Sequence, residues 1–169
     1  MLTLLTRPFL KDEARAAASW SYPAPFDVYN VDPGNWHLFL RRTPDGEGYY
    51  PAVDEDGAVV AFCVFGAEAR VRGQEPQAET LDLGVGVRPD LTSRGLGTTV
   101  LSQAIDLGRA IFAPRILRTA VADFNQRSLA LCRRAGFRPV RTLHGPGDRP
   151  FQELTLRVDD PSPKTPSAV

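Results

Sequence analysis

The amino-acid sequence predicts an α+β domain, in which helices flank a central sheet that is mixed and mostly antiparallel. Three observations support this prediction. The chain has 169 residues, 43% of them hydrophobic, which is enough for one domain with a hydrophobic core. Strand-like and helix-like segments follow one another without the regular alternation of a fully parallel sheet. A single strand–helix–strand stretch, residues 80–122, predicts one right-handed parallel crossover within that sheet.

The N-terminal part of the chain is predicted to contain a short strand and two short helices. Residues 2–6 are predicted as the strand. Residues 11–18 are rich in Ala and charged side chains and favour a helix, and residues 36–41 are predicted as a second one. Between the helices lies an aromatic stretch in which Pro23 and Pro25 argue against regular helix.

A hairpin is predicted to follow. Residues 49–54 and 58–65 have the composition of strands, and the Asp-Gly pair between these two apolar segments is a strong signal for a tight turn. Residues 66–79 are polar and contain Gly, so they are predicted to form a loop or a ragged extension of the second strand.

The remaining elements surround the crossover. Residues 80–87 are predicted as a strand in which Gly84 and Gly86 mark a bulge or a close approach of the backbone to a ligand. Apolar residues recur with helical periodicity over residues 95–112. The last predicted elements are a strand at 116–122, a helix at 125–135 closed by Gly136, and strands at 137–143 and 151–158.

The domain organisation is predicted to be simple. No internal repeat or second domain is visible, so residues 1–158 are predicted to form one domain. Residues 159–169 are rich in Pro and Ser and are predicted to be a disordered tail.

Composition argues against several classes of function. Twenty basic residues balance twenty acidic ones, which does not favour binding to nucleic acid through bulk charge. Cys63 and Cys132 lie far apart and, with only two histidines present, predict neither a metal site nor a disulfide framework. The N-terminus lacks the features of a signal peptide, and no apolar segment approaches the roughly 20 residues that span a bilayer. We therefore expect a cytoplasmic protein without a metal, nucleic-acid or membrane partner.

The segment that carries chemistry is residues 87–98, with the sequence Val-Arg-Pro-Asp-Leu-Thr-Ser-Arg-Gly-Leu-Gly-Thr. A predicted strand ends there, and a loop with Gly95 and Gly97 opens directly into a helix. The unpaired N–H groups and partial positive charge of a helix N-terminus suit a pyrophosphate, to which Arg94 would add a charge and Thr98 a hydroxyl. The alternative is a plain Gly-rich helix cap, since neither a Walker loop nor a dinucleotide fingerprint is present.

Residues 92–97 resemble the pyrophosphate loop of the GCN5-related N-acetyltransferase (GNAT) family, whose pattern is Gln/Arg-x-x-Gly-x-Gly/Ala. Residues 125–137 resemble the second motif of that family, Asn-x-x-Ala-x-x-x-Tyr-x-x-x-Gly-Phe. The chain departs from these patterns at Thr92 and at Cys132, which stands where the family has tyrosine. The resemblance is clearest over residues 58–158 and implies a GNAT-like fold whose sheet is splayed at an acyl-CoA site.

The resemblance also implies the residues that bind acetyl-CoA as co-substrate. Val85 and Val87 would offer backbone hydrogen bonds to the pantetheine arm, and one N–H of this strand would stabilise the oxyanion. Asn125 would contact the arm, although a helix N-cap is its structural alternative. The pyrophosphate would be held by Arg94, Gly95, Leu96, Gly97 and Thr98.

The catalytic residues are less well defined. Cys132 could protonate the leaving thiolate, but a small buried side chain is the favoured alternative. Asp82, in an apolar strand, could act as the base or could form a structural salt bridge with Arg118. Tyr22 and Tyr29 are the candidates for lining the acceptor pocket, because each aromatic ring carries a polar tip.

The resulting prediction is an N-acetyltransferase that moves an acetyl group from acetyl-CoA to an unidentified amine by direct attack in a ternary complex. The acceptor would be a small molecule or a protein N-terminus, and a homodimer is possible in such domains. The alternative is an acyl-CoA-binding sensor or interaction module with weak or lost catalysis, which the departures at Thr92 and Cys132 would permit.

Overall fold

A computed structural model of the chain describes residues 1–158. The predicted disordered tail, residues 159–169, lies outside the described residues. Within them, no helix is long and apolar enough to cross a bilayer.

The centre of the molecule is a seven-stranded sheet with the order β1-β2-β3-β4-β5-β7-β6. Neighbouring strands are antiparallel except β4 and β5, which are parallel and joined by the predicted crossover. The strands are β1 (Thr3–Leu4), β2 (Gly48–Val53), β3 (Val59–Phe65), β4 (Thr80–Val87), β5 (Ile116–Ala122), β6 (Arg138–His144) and β7 (Pro150–Arg157).

Within residues 1–158, three α-helices accompany the sheet: α1 (Lys11–Ala18), α2 (Leu96–Phe112) and α3 (Gln126–Arg134). Local features explain the bounds of α2 and α3. Gly95 precedes α2 in a left-handed conformation, with φ of 80°, and the Asn125 side chain caps α3 by accepting a hydrogen bond from the Ser128 N–H at 3.2 Å. Gly136, with φ of 103°, follows α3 as predicted. Short 3-10 helices lie at Phe26–Tyr29, Pro33–Leu40, Gly66–Ala69, Pro89–Leu91 and Pro146–Asp148.

The predicted fold class is confirmed, but two N-terminal elements differ in detail. The helix predicted at 36–41 is a 3-10 helix that begins at Pro33 and is kinked at Asn35. It starts earlier because Pro33 suits a first helical position and Asp32 accepts a hydrogen bond from the Gly34 N–H at 2.9 Å. The first strand is shorter than predicted because it pairs with β2 at only two positions.

The two faces of the sheet are covered differently, and this positions the site. On one face, α2 and α3 pack against buried side chains of β4 and β5, including Leu81, Leu83 and Leu117. On the other face, Asp82, Gly84 and Gly86 point away from these helices because side chains alternate along a strand. That second face is covered by the N-terminal segments, in which Phe39 and the α1 alanines pack around Phe62.

Candidate active site

The sheet opens into a wedge between β4 and β5. The two strands pair only where Thr80–Asp82 faces Ile116–Arg118. Beyond these residues β4 continues along β3 as far as Val87, and β5 continues along β7 as far as Ala122. The parallel pair therefore separates at its carboxyl end, in the middle of the sheet.

The edges of this wedge are lined by backbone hydrogen-bonding groups. Arg88 N–H donates to the Val60 carbonyl at 2.9 Å, so the alternation of an antiparallel ladder turns the N–H and C=O groups of Val85 and Val87 away from β3 and into the wedge. On β5, Asp123 N–H donates to the Pro150 carbonyl at 2.9 Å, which by the same alternation turns the groups of Ala120 and Ala122 into the wedge.

The two glycines of β4 are required for close packing, not for a bulge. The register of β3 with β4 is continuous from Leu83 to Val87, so the predicted bulge is absent. A Cβ on Gly86 would instead lie 2.5 Å from the Phe62 ring, and one on Gly84 would lie 3.1 Å from Val64. The glycines thus let aromatic and aliphatic side chains of β3 lie over β4.

The loop predicted to bind pyrophosphate stands at the mouth of the wedge. Ser93 and Gly95 have φ of 67° and 80°, and this double turn leads into α2. Thr99 N–H makes the first helical bond, to the Gly95 carbonyl, which leaves the N–H groups of Leu96, Gly97 and Thr98 as the unpaired donors of a helix N-terminus. The five residues predicted to hold the pyrophosphate, Arg94, Gly95, Leu96, Gly97 and Thr98, are therefore brought together.

Two arginines lie beside these donors. Arg94 is exposed, and within residues 1–158 its guanidinium makes no hydrogen bond or ion pair. Arg127, at the start of α3, donates to the Ser93 hydroxyl and lies 5.9 Å from the Phe26 ring. Sequence reasoning missed Arg127, although its place two residues after the cap Asn125 was a signal that it points toward the same loop.

The predicted acceptor residues Tyr22 and Tyr29 both reach the wedge. Tyr22 donates its hydroxyl to the Val87 carbonyl at 2.7 Å, and burial raises the pKa of this phenol to about 12. The Tyr29 hydroxyl accepts from the Ala122 N–H at 3.1 Å and from the side-chain amide of Asn125 at 3.3 Å. One backbone group predicted for the pantetheine arm, the Val87 carbonyl, is therefore bonded to Tyr22, while Asn125 serves both as helix cap and as a partner of Tyr29.

Cys132 lies in the core behind the wedge. Its side chain is buried among Leu129, Phe137 and other apolar residues of the core between the sheet and the helices. Burial raises the pKa of the Cys132 thiol to about 11, so the thiol is neutral near pH 7. This placement favours the packing alternative, and a role as proton donor stays a prediction.

Asp82 lies at the closed end of the wedge in an ionic cluster. One carboxylate oxygen accepts from Arg118 Nε at 2.6 Å and the other from Arg70 Nε at 2.7 Å. Asp82 and Arg118 are both almost fully buried, with side-chain exposures of 2% and 3%. The salt bridge with Arg118 is thus present, and a role of Asp82 as base stays a prediction.

The ionic cluster continues to a residue that the sequence analysis did not single out. Glu153 on β7 is buried and accepts hydrogen bonds from Arg141 at 3.1 Å and Gln74 at 3.0 Å. Burial acts to raise the pKa of Glu153, but these two hydrogen bonds and the charges of Arg141 and Arg118 together hold the pKa below its usual value. At the surface, Glu79 pairs loosely with Arg115, and His144 with Asp148, and these four side chains are exposed. Within residues 1–158 no group of three or more His, Cys, Asp or Glu could hold a metal ion.

A mixed sheet split between two parallel strands, with a helix N-terminus at the split, defines a class of folds suited to a long ligand with a phosphate group. The family model described as acetyltransferase (GNAT) family matches residues 11–137. The chain therefore belongs to the acetyltransferase (GNAT) family, as the two motifs predicted.

Solved structures share this fold. A ribosomal-protein-alanine N-acetyltransferase from Brucella melitensis is 23% identical, with a TM-score of 0.72 over 94% of this chain and 99% of that one. A phosphinothricin acetyltransferase from Sinorhizobium meliloti in complex with acetyl-CoA is 20% identical, with a TM-score of 0.69 over 92% of this chain and 88% of that one. An aminoglycoside acetyltransferase in complex with coenzyme A is 14% identical, with a TM-score of 0.72 over 94% of this chain and 95% of that one. No curated protein sequence matches the chain significantly.

Proposed function

We propose that this chain is an N-acetyltransferase that moves the acetyl group of acetyl-CoA to an amine by direct attack in a ternary complex. The observation that carries the proposal is the wedge with its unpaired backbone groups, together with the donor array at the start of α2, to which β4 leads directly along the chain. Membership of the acetyltransferase family and the acetyl-CoA or CoA bound in structures of the same fold support it.

The donor fits the chemistry of this path. An extended arm that contains amides would pair with the strand edges at Val85, at the N–H of Val87 and at Ala120, in the way that a peptide adds to a sheet edge. Its pyrophosphate would lie on the N–H groups of residues 96–98, where the helix dipole favours negative charge and Arg94 adds a cation. Asp90, which interacts electrostatically with Arg94, is itself hydrogen-bonded by Arg88 at 2.7 Å.

The reaction follows from attack at the thioester carbonyl. The amine nitrogen forms a bond to the carbonyl carbon, and a wedge-facing N–H of β4 stabilises the oxyanion that develops. The carbon–sulfur bond then breaks, the thiolate leaves, and the proton of the new ammonium is lost to a base. Asp82 acting through water is our proposed base, and Cys132 our proposed proton donor to the thiolate.

The acceptor is a primary amine of a small molecule or a protein N-terminus. Structures of the same fold include a spermidine N-acetyltransferase chimera and a ribosomal-protein-alanine N-acetyltransferase. We place the acceptor on the face of the sheet that carries Gly84 and Gly86, next to Tyr22 and Tyr29, because the opposite face is filled by α2 and α3.

A second function is favoured by the state of the two proposed catalytic groups. Asp82 is bound by two guanidinium groups, and Cys132 is buried with a raised pKa. A chain that binds acyl-CoA as a sensor, without turnover, would have the same wedge and loop but no mobile acid or base.

Calorimetric titration with acetyl-CoA tests the donor site. Removing one charge-assisted contact with the pyrophosphate in Arg94→Ala should weaken binding about tenfold or more, with the defect growing smaller at high salt. Arg134→Ala is the matched control, because it removes an exposed arginine of the last turn of α3, away from the loop. No binding by the wild-type protein, or equal affinity in Arg94→Ala, would contradict the proposed site.

Turnover separates the two functions. Release of CoA would be followed with a panel of amines, including polyamines, aminoglycosides, phosphinothricin and short peptides with free N-termini. Acceptor-dependent release identifies the enzyme and its substrate class. Tight binding of acetyl-CoA without release for any amine would instead favour the sensor.

A further inference from the structure

The N-terminal segment contains a loop whose two ends are joined. Tyr22 N–H donates to the side-chain oxygen of Asn30 at 2.7 Å, and the Asn30 amide donates back to the Tyr22 carbonyl at 3.4 Å. The loop from Tyr22 to Asn30 is therefore closed at its base by one exposed side chain. This closure brings Tyr22 next to Tyr29, which immediately precedes Asn30.

The two tyrosines of this loop bind opposite edges of the wedge. Tyr22 donates to the carbonyl of Val87, the last residue of β4, while Tyr29 accepts from the N–H of Ala122, the last residue of β5. These are the outermost wedge-facing residues of the two strands, and β4 and β5 do not pair with each other there. The loop thus links two strand ends that the sheet itself leaves apart.

Packing contacts fix the loop on both sides of the wedge. Trp20, just before the loop, stacks on Phe62 of β3 with ring centroids 5.9 Å apart. On the other side, Phe26 packs edge to face against Phe124 at 5.5 Å, and Arg149 donates to the Pro25 carbonyl at 3.1 Å. The hydroxyl contacts are therefore made by a loop that is held over the wedge and not by isolated side chains.

We propose that the loop from Tyr22 to Asn30 is a positioning element that sets the separation of β4 and β5 at the mouth of the wedge. The inference rests on the proposed function, because the separation matters only if an acyl-CoA arm lies between the strands. Tyr22 and Tyr29 hold the strand ends, and Asn30 acts through them by holding the base of the loop. An arm that enters preorganised edges loses less conformational freedom on binding than one that must order them.

Asn30→Ala tests the closure of the loop from Tyr22 to Asn30. It leaves both tyrosine hydroxyls in place and removes only the side chain that joins the two ends of the loop. We expect acetyl-CoA to bind about fivefold more weakly, the size of the loss of a hydrogen bond. In steady-state assays KM for acetyl-CoA should rise, with kcat changed less. Asn35→Ala is the matched control: Asn35 is also exposed, lies in the kink of the next segment, and should leave the affinity unchanged.

Amide hydrogen exchange at Ala122 provides a readout that does not need the ligand. Its N–H is bonded to Tyr29, so exchange should be faster in Asn30→Ala and in Tyr29→Phe, and unchanged in Asn35→Ala. If the wild-type protein does not bind acetyl-CoA, the proposed function fails. Hydrogen exchange at the Ala122 amide then decides alone whether the loop from Tyr22 to Asn30 holds the end of β5. If the wild-type protein binds, equal affinity in Asn30→Ala overturns the inference, and so does unchanged exchange at Ala122.

Discussion

The two ends of β4 are held in opposite ways. At Thr80–Asp82 the strand pairs with β5, and buried charges of Asp82 and Arg118 bind each other across the parallel ladder. At Val85–Val87 the strand pairs only with β3, and its other edge is contacted by the hydroxyl of Tyr22. Ion pairs between side chains stabilise the first end, whereas the second end has backbone groups that do not pair with a neighbouring strand and can bind other partners.

The contrast shows how one strand serves both stability and binding. A parallel ladder that continued to Val87 would use the backbone groups of both strands and leave no wedge. Ending the ladder early loses those hydrogen bonds, and the ion pairs at the closed end secure the position at which the strands begin to diverge.

The largest effect is expected at the closed end. Arg118→Met leaves the Asp82 carboxylate buried with Arg70 as its remaining close partner, which should lower the free energy of unfolding by about 3–5 kcal/mol. Urea denaturation monitored by circular dichroism would measure the change.

The control for this prediction is an ion pair at the surface. Arg115→Met removes the partner of Glu79, and both of these side chains are exposed, at 66% and 61%. Exposed pairs contribute little, so its effect should stay below about 1 kcal/mol. Similar decreases in the free energy of unfolding of Arg118→Met and Arg115→Met would show that the buried cluster does not stabilise the closed end.

A smaller decrease in the free energy of unfolding is expected from Gly86→Ala, at the open end of β4. The new methyl group would lie 2.5 Å from the Phe62 ring, so that ring or the strand must move, at a cost of about 1–3 kcal/mol. Denaturant unfolding again gives the magnitude, and Phe62→Leu in the same chain should restore part of the loss by making room.

Gly97→Ala is the matched glycine control for stability. A Cβ there would meet Leu131 at 3.5 Å, an ordinary contact, in the first turn of α2. Alanine has the lower unfolded-state entropy, so this variant should be neutral or stabilised by about 0.5 kcal/mol. A neutral Gly86→Ala would be inconsistent with the packing described for β4, and a destabilised Gly97→Ala with the ordinary contact described at Leu131.

The smallest effect concerns the neutral thiol behind the wedge. Burial raises the pKa of Cys132 to about 11, above its ordinary value of 9.0, so the folded protein keeps a proton that the unfolded chain releases first. The stability linked to this group is complete below pH 9 and falls as the pH rises toward 11, by about 1 kcal/mol between pH 9 and pH 10.

Unfolding of wild-type protein and of Cys132→Ala at several pH values isolates this contribution. The alanine variant lacks the thiol, so its stability should change less between pH 9 and pH 10 than that of the wild-type protein. Parallel pH curves for the two proteins would show that the thiol is not shielded from solvent as the structure indicates.

Much of the fold could be predicted because local patterns agreed with it. Residues 11–18, 80–87 and 116–122 have the predicted bounds, since composition, periodicity and flanking turns all point the same way there. The paired motifs also located the loop before α2 and the cap at Asn125.

Other features depend on contacts that are distant in sequence. Glu153 lies in an alternating strand and has the pattern of a solvent-facing residue, yet segment 70–79 covers that face and supplies Gln74. The partners of Tyr22 and Tyr29 lie 65 and 93 residues away, so no local pattern could name them. The bulge predicted from Gly84 and Gly86 was wrong because the same residues can accommodate a neighbouring ring.

The wedge has one more consequence, for the behaviour of the protein without ligand. Unpaired strand edges normally occur at the rim of a sheet, where they invite association with strands of other chains. Here two such edges lie in the middle of the sheet, and the loop from Tyr22 to Asn30 covers their ends. An arm bound between them would act as an additional strand, so we expect acetyl-CoA to protect the protein from aggregation as well as to raise its melting temperature.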